Sequence, residues 1–118
     1  MIAHVVLMKP RADLSPRDRR AFVDALERAI REIATVRGVR VGRRVRHGAG
    51  YEASAPDAAD FVAIIEFDDL AGLQTYLRHP AHAELGARFG EAISSALVYD
   101  FEVGGLDAGW AARFGIED

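Results

Sequence analysis

The chain has 118 residues, half of them apolar, and a formal charge of −3. That is the profile of one ordinary globular domain, large enough to close a core without metal or disulfide help. Cysteine is absent, which excludes disulfide frameworks, thiolate nucleophiles and cysteine-ligated zinc. No apolar run approaches the roughly 20 residues that span a bilayer. No basic leader precedes the first strand pattern, so the expected location is cytoplasmic.

Residues 2–9 alternate as a strand, with Ile2, His4, Val6 and Met8 on one face and Ala3, Val5 and Leu7 on the other. A helix then opens with Ser15 as N-cap, Pro16 at the first helical position and Asp18 at N3. Its apolar face is Phe22, Leu26, Ile30 and Ile33, with Gly38 expected to close it. A second strand follows over 39–45, where Val39, Val41 and Val45 are interleaved with arginines. The cluster Arg37, Arg40, Arg43, Arg44 and Arg46 therefore reads as the solvated face of a strand, and the acidic net charge argues against nucleic acid as partner. The segment 47–60 is a long loop. Its Gly48-Ala49-Gly50 opens no helix, so a dinucleotide-binding reading fails on context.

Residues 61–67 form the clearest strand, with Phe61, Ala63, Ile65 and Phe67 on one face and Val62 and Ile64 on the other. Asp68 or Asp69 caps a short helix carrying Leu70, Leu73, Tyr76 and Leu77. Pro80 cannot continue that helix but fits the first turn of another, which aligns His82, Leu85, Phe89 and Ile93. A last strand covers 97–103. The order β-α-β-β-α-β predicts an α+β, ferredoxin-like fold with an antiparallel four-stranded sheet and helices on one face. The other face would leave apolar side chains in water, and the economical cover is a second copy, giving a homodimeric α+β barrel. Beyond 103, Leu106, Trp110 and Phe114 recur every four residues, a tail over 104–118 expected to dock on the dimer or over a pocket.

The chemistry concentrates in Tyr76-Leu77-Arg78-His79-Pro80-Ala81-His82. One phenol and two imidazoles within seven residues are groups that move protons near neutrality. His82 points to the apolar side of its helix; it reads either as a base or as a core histidine bonded to a backbone carbonyl. Tyr76 packs inward and either pairs with His82 across the Pro80 break or is a core tyrosine. His4 lies on an apolar strand face and needs a polar partner there. His79, just before Pro80, caps the next helix or touches solvent. No metal site is expected, since Pro80 splits His79 from His82 and no carboxylate sits at a ligand spacing. The serines lack a nucleophile-elbow context.

The chain resembles the stress-responsive α/β-barrel (Dabb) family of the dimeric α+β barrel superfamily, over about residues 2–103. The resemblance rests on His4-Val5-Val6-Leu7-Met8-Lys9, Phe67-Asp68-Asp69-Leu70, the Tyr76–His82 segment and Val98-Tyr99-Asp100-Phe101. The family's plant polyketide cyclase, which closes olivetolic acid, uses a tyrosine and a histidine. By position these roles fall on Tyr76 and His82, with His4 and His79 as further ligand contacts. The first helix, the 47–60 loop and the tail have no clear counterpart in that cyclase. The resemblance implies a homodimer holding a small apolar or carbonyl ligand between sheet and helices, with no cofactor. It implies an aldol-type cyclase or lyase in which His82 removes a proton alpha to a carbonyl and Tyr76 hydrogen-bonds the enolate. The alternative is a non-catalytic structural or stress-response dimer with satisfied core histidines. Oxygenase chemistry follows only from shared barrel architecture.

Overall fold

The structure, a computed structural model, describes residues 1–107 and 109–115. Four strands, β1 (Ile2–Pro10), β2 (Val36–Arg43), β3 (Phe61–Phe67) and β4 (Ile93–Glu102), form one sheet in the order β2-β3-β1-β4. Every neighbouring pair is antiparallel. Helices α1 (Pro16–Glu32), α2 (Leu70–Arg78) and α3 (Pro80–Ala92) complete the domain, followed by a short α4 (Trp110–Arg113). The fold is the ferredoxin-like α+β arrangement, with its second helical unit divided in two.

The pleat sorts side chains by parity. On β1, His4, Val6 and Met8 face the helices, opposite Ile65, Ala63 and Phe61 of β3 and Asp100, Val98 and Ala96 of β4. The opposite face carries Val5, Leu7, Val62, Ile64, Leu97, Tyr99 and Phe101, and no helix among the described residues covers it. Leu97, Tyr99 and Phe101 are each about half exposed there.

The predicted cap of α1 is present: the Ser15 Oγ accepts the Asp18 N–H at 3.1 Å, with Pro16 at the first helical position. The helix ends at Glu32, however, with Ile33 as C-cap, six residues before Gly38. Gly38 instead lies in β2, beside a shift in register between Val36 and Gly38. β2 accordingly spans 36–43 rather than 39–45. The helix axis lies over Ala25, Ala29 and Ile33, which are buried, while Phe22, Leu26 and Ile30 are only partly buried around them. Alanines let α1 approach α3 closely. A reading weighted toward large side chains misplaces the centre of the buried stripe.

Asp69, not Asp68, caps α2, its carboxylate accepting the Gly72 N–H at 2.8 Å. Ile93, expected as the last apolar residue of α3, is instead the first residue of β4, which starts four residues earlier than the alternation at 97–103 indicated. The loop 47–60 holds only a one-turn 3₁₀ helix, Gly50–Ala53, entered after Gly48 at φ 85°. The main core joins Ala25, Ala29 and Ile33 to Ile65, Phe67, Leu73, Tyr76, Ala81 and Leu85. Arg28 ties α1 to α3 through Glu84.

Enlarging the close contact of α1 with Ala29→Leu should overpack the core and lower unfolding free energy by about 1–3 kcal/mol. Asp69→Ala should cost about 1 kcal/mol by removing a cap. Urea denaturation of both variants measures these losses, with Ala29→Leu expected to be the more damaging.

Candidate functional site

Pro80 starts a new helix at once, so His79 serves as C-cap of α2 and N-cap of α3 together. Its Nδ1 accepts the Ala81 N–H at 3.0 Å. That bond occupies His79 with capping, and it does not line the cavity described below. The change of axis at Pro80 swings His82 back over α2. The rings of Tyr76 and His82 meet edge-on, 4.7 Å between centroids. Tyr76 also packs against Phe67 at 5.2 Å and lies 5.9 Å from the His4 ring. Tyr76 and His82 therefore meet through their rings, and among the described residues no hydrogen bond joins the Tyr76 hydroxyl to His82.

A cavity of about 240 Å³ opens between the helix-side face of the sheet and α1 and α3. Its walls are apolar (Val6, Met8, Phe22, Leu85, Phe89 and Val98 among them), and its two titratable side chains are His4 and His82. Tyr76, only 1% exposed, lies behind His82 rather than on the cavity wall. The structure thus brings His4, Tyr76 and His82 together and leaves His79 at the helix junction. His4 faces the helices, the side that strand alternation left open.

Asp100 completes the cluster and was not singled out from the sequence as a site residue. It stands directly across the β1–β4 ladder from His4, and its Oδ1 is 2.6 Å from the His4 Nδ1. The contact is short enough for a charge-assisted hydrogen bond. With Nδ1 donating to a carboxylate, the imidazole is held in one orientation, as second partners of functional histidines do. Asp100 and Val98 share parity on β4, a signal visible in the sequence. The register that sets Asp100 opposite His4 was not.

Burial acts on both remaining groups. Desolvation pushes the Tyr76 phenol up to about 12, so it stays protonated near neutrality. His82 is held below its ordinary 6.5 mainly by burial and also by the nearby His4, with a backbone hydrogen bond at Leu77 opposing them. The low dielectric disfavours imidazolium. A neutral imidazole facing an apolar cavity can accept a proton. Among the described residues no three His, Asp or Glu side chains gather as a metal site.

The His82 shift has a signed consequence for stability. The unfolded chain binds this proton near 6.5, while the folded chain binds it only at lower pH. Stability from neutral His82 is therefore full above 6.5 and drains as pH falls through the folded value. Imidazole ¹H–¹³C titration should find His82 below its ordinary range. It should move toward that range in His4→Ala, which removes one of the neighbours disfavouring its charge.

No curated protein matches the chain. Among solved structures, a protein from Arabidopsis thaliana superposes with a TM-score of 0.75 at 18% identity, covering 91% of this chain and 99% of that one. A hydroxynitrile lyase from Passiflora edulis gives 0.74 at 12% identity, over 90% of this chain and 95% of its own. A dimeric ferredoxin-like protein of unknown function from Jannaschia sp. gives 0.70 at 20% identity, over 86% and 98%. These likenesses carry the fold. No described helix is long and apolar enough to cross a membrane. The family model for the stress responsive A/B barrel domain matches residues 2–103, the span that includes all four strands and the cavity between sheet and helices, and the chain belongs to that family.

Proposed function

We propose that this chain is a homodimer that binds a small carbonyl compound in the cavity between sheet and helices and carries out aldol-type chemistry there without a cofactor. The observation that carries this reading is the pair of imidazoles, His4 and His82, projecting from sheet and helix into one apolar cavity. A structural dimer with filled core positions has no need of that open space.

His82, kept neutral by burial, removes a proton alpha to the bound carbonyl. His4, in the imidazolium form in which both ring nitrogens donate, keeps its Nδ1–H on Asp100 and gives its Nε2–H to the oxygen on which negative charge develops. The resulting carbanion attacks a second carbonyl carbon, forming a carbon–carbon bond, and the new alkoxide takes back the proton from His82. Run in reverse, the same proton transfers cleave such a bond. That a hydroxynitrile lyase shares this fold is consistent with lyase chemistry as the other direction of the step. Tyr76 backs the His82 ring and assists from behind it, as a positioning residue. His79 acts through the same route, holding the helix junction that aims His82.

The bare sheet face supplies the dimer. Val5, Leu7, Val62, Ile64, Leu97, Tyr99 and Phe101 make a continuous apolar surface of the kind that marks an interface, and the Jannaschia neighbour is described as dimeric. Residues 1–103 would form the dimerising domain and 104–118 a tail packing across it. In this protomer Leu106, Trp110 and Phe114 lie exposed, with Trp110 and Phe114 stacked at 5.2 Å. Residues 108 and 116–118 fall outside the described part.

Light scattering should give twice the chain mass for the native protein and a single chain mass for Leu97→Arg. Crystals soaked with small aromatic and β-keto compounds should show a ligand bonded to His82 or His4. With a turned-over compound in hand, His82→Ala should lower the rate on the order of a hundredfold or more. Tyr76→Phe, which keeps the ring, should lose much less than Tyr76→Leu. The native rate should reach its plateau at a pH below the ordinary histidine range. A sealed interior that takes up no compound, with rates unmoved by His82→Ala, would leave only the structural dimer.

A further inference from the structure

A second and larger cavity lies on the other flank of α1. It measures about 640 Å³ and runs between α1 and the helix-side face of β2 and β3. Its walls are two apolar stripes. On α1 the stripe is Phe22, Val23, Leu26 and Ile30, at helical spacing, and on β2 it is Val39 and Val41, at strand spacing. Phe61 and Ile93 close one end. The groove is open to solvent along β2, where Val41 is 67% exposed.

Each stripe ends in an arginine. Arg19 stands three residues before Phe22 on α1, and Arg43 two residues after Val41 on β2; both line the cavity. Topology puts them at the same end. Arg43 pairs with Phe61, and Phe61 with Met8, so Arg43 lies level with the strand end from which the chain leads into α1. Most of the protein's arginines face carboxylates, as Arg20 does Asp24, Arg37 does Asp68 and Arg44 does Asp57. Among the described residues neither Arg19 nor Arg43 forms such a pair. The single carboxylate on the groove wall, Glu27, faces Arg20 at 3.8 Å. From Arg43 to Val39 the strand runs about 13 Å, enough for a medium-length extended alkyl chain.

We infer that this groove is a binding site for an aliphatic carboxylate, with its alkyl chain along Val23, Leu26, Val39 and Val41 and its anionic end held by Arg19 and Arg43. Guanidinium groups match a carboxylate in a bidentate geometry, and the apolar walls supply area for the chain. The groove shares Met8, Phe22 and Leu26 with the histidine cavity. Ligand binding here does not depend on any turnover at His82.

Isothermal titration of the native chain with decanoate, and with 1-decanol as the uncharged probe, tests this. Decanoate should saturate at one per chain and bind about tenfold or more tightly than 1-decanol. The double variant Arg19→Gln/Arg43→Gln should lose that advantage while keeping 1-decanol affinity, and Arg19→Lys/Arg43→Lys should retain part of it. Methyl resonances of Val23, Val39 and Val41 should shift during the titration. Four results would overturn the inference: no saturable decanoate binding, as when the partner's tail fills the groove; equal affinity for the two probes; parallel loss of both in the glutamine variant; or shifts confined to Leu85 and Val98 of the histidine cavity.

Discussion

Everything at the histidine cavity depends on the backbone break at Pro80. In an unbroken α-helix, residues six apart are displaced by about 9 Å along the axis and point in directions about 120° apart. Tyr76 and His82 would then never touch. Pro80 lacks the N–H that would continue α2, and its ring excludes the preceding turn, so the helix ends and another starts on a new axis. His79 satisfies groups of both helices at that corner. The outcome is a phenol and an imidazole in ring contact, with the imidazole turned toward the sheet. A short local rule about proline thereby decides which side chains meet.

The second constraint is the one-sided cover of the sheet. Helices over one face bury alternate residues of β1 and β3 and leave the others bare. The central strand carries His4 on the covered side, where a polar ring needs a partner. The ladder supplies Asp100. Because that carboxylate sits on edge strand β4, it stays partly hydrated, and the His4–Asp100 pair avoids the full desolvation cost of a buried ion pair. On the bare side the same alternation gathers aliphatic and aromatic residues into one surface, so a single pleat produces both the cavity lining and the interface.

Packing of α1 links the two cavities. Ala25 and Ala29 bring its axis down against the core, and the larger Phe22 and Leu26 are displaced to the flank, where they form a wall common to both cavities. The helix is therefore a partition more than a lid. Small residues at its centre and bulky ones beside it create space on either side, and Arg19 at the end of its outer stripe, with Arg43 on β2, gives the larger groove a polar end.

Much of this was legible in the residues themselves. Ser15-Pro16, the Asp68-Asp69 pair, Pro80 and the alternation of β1 and β3 are local signals, because caps, prolines and pleats act over a few residues; they suffice for the order of elements and the ferredoxin-like fold. The clustering of Tyr76, His79 and His82 was equally plain. What local patterns could not supply were the long-range pairings. Whether His4 faced helices or open water depended on which side α1 and α3 covered. Asp100 entered the site only through the β1–β4 register, ninety-six positions away along the chain. The end of α1 at Glu32 and the start of β4 at Ile93 depended on where helix and strand run into the sheet. The division has one physical cause: backbone preferences are short-ranged, whereas burial, register and the shape of a cavity exist only once distant segments pack together.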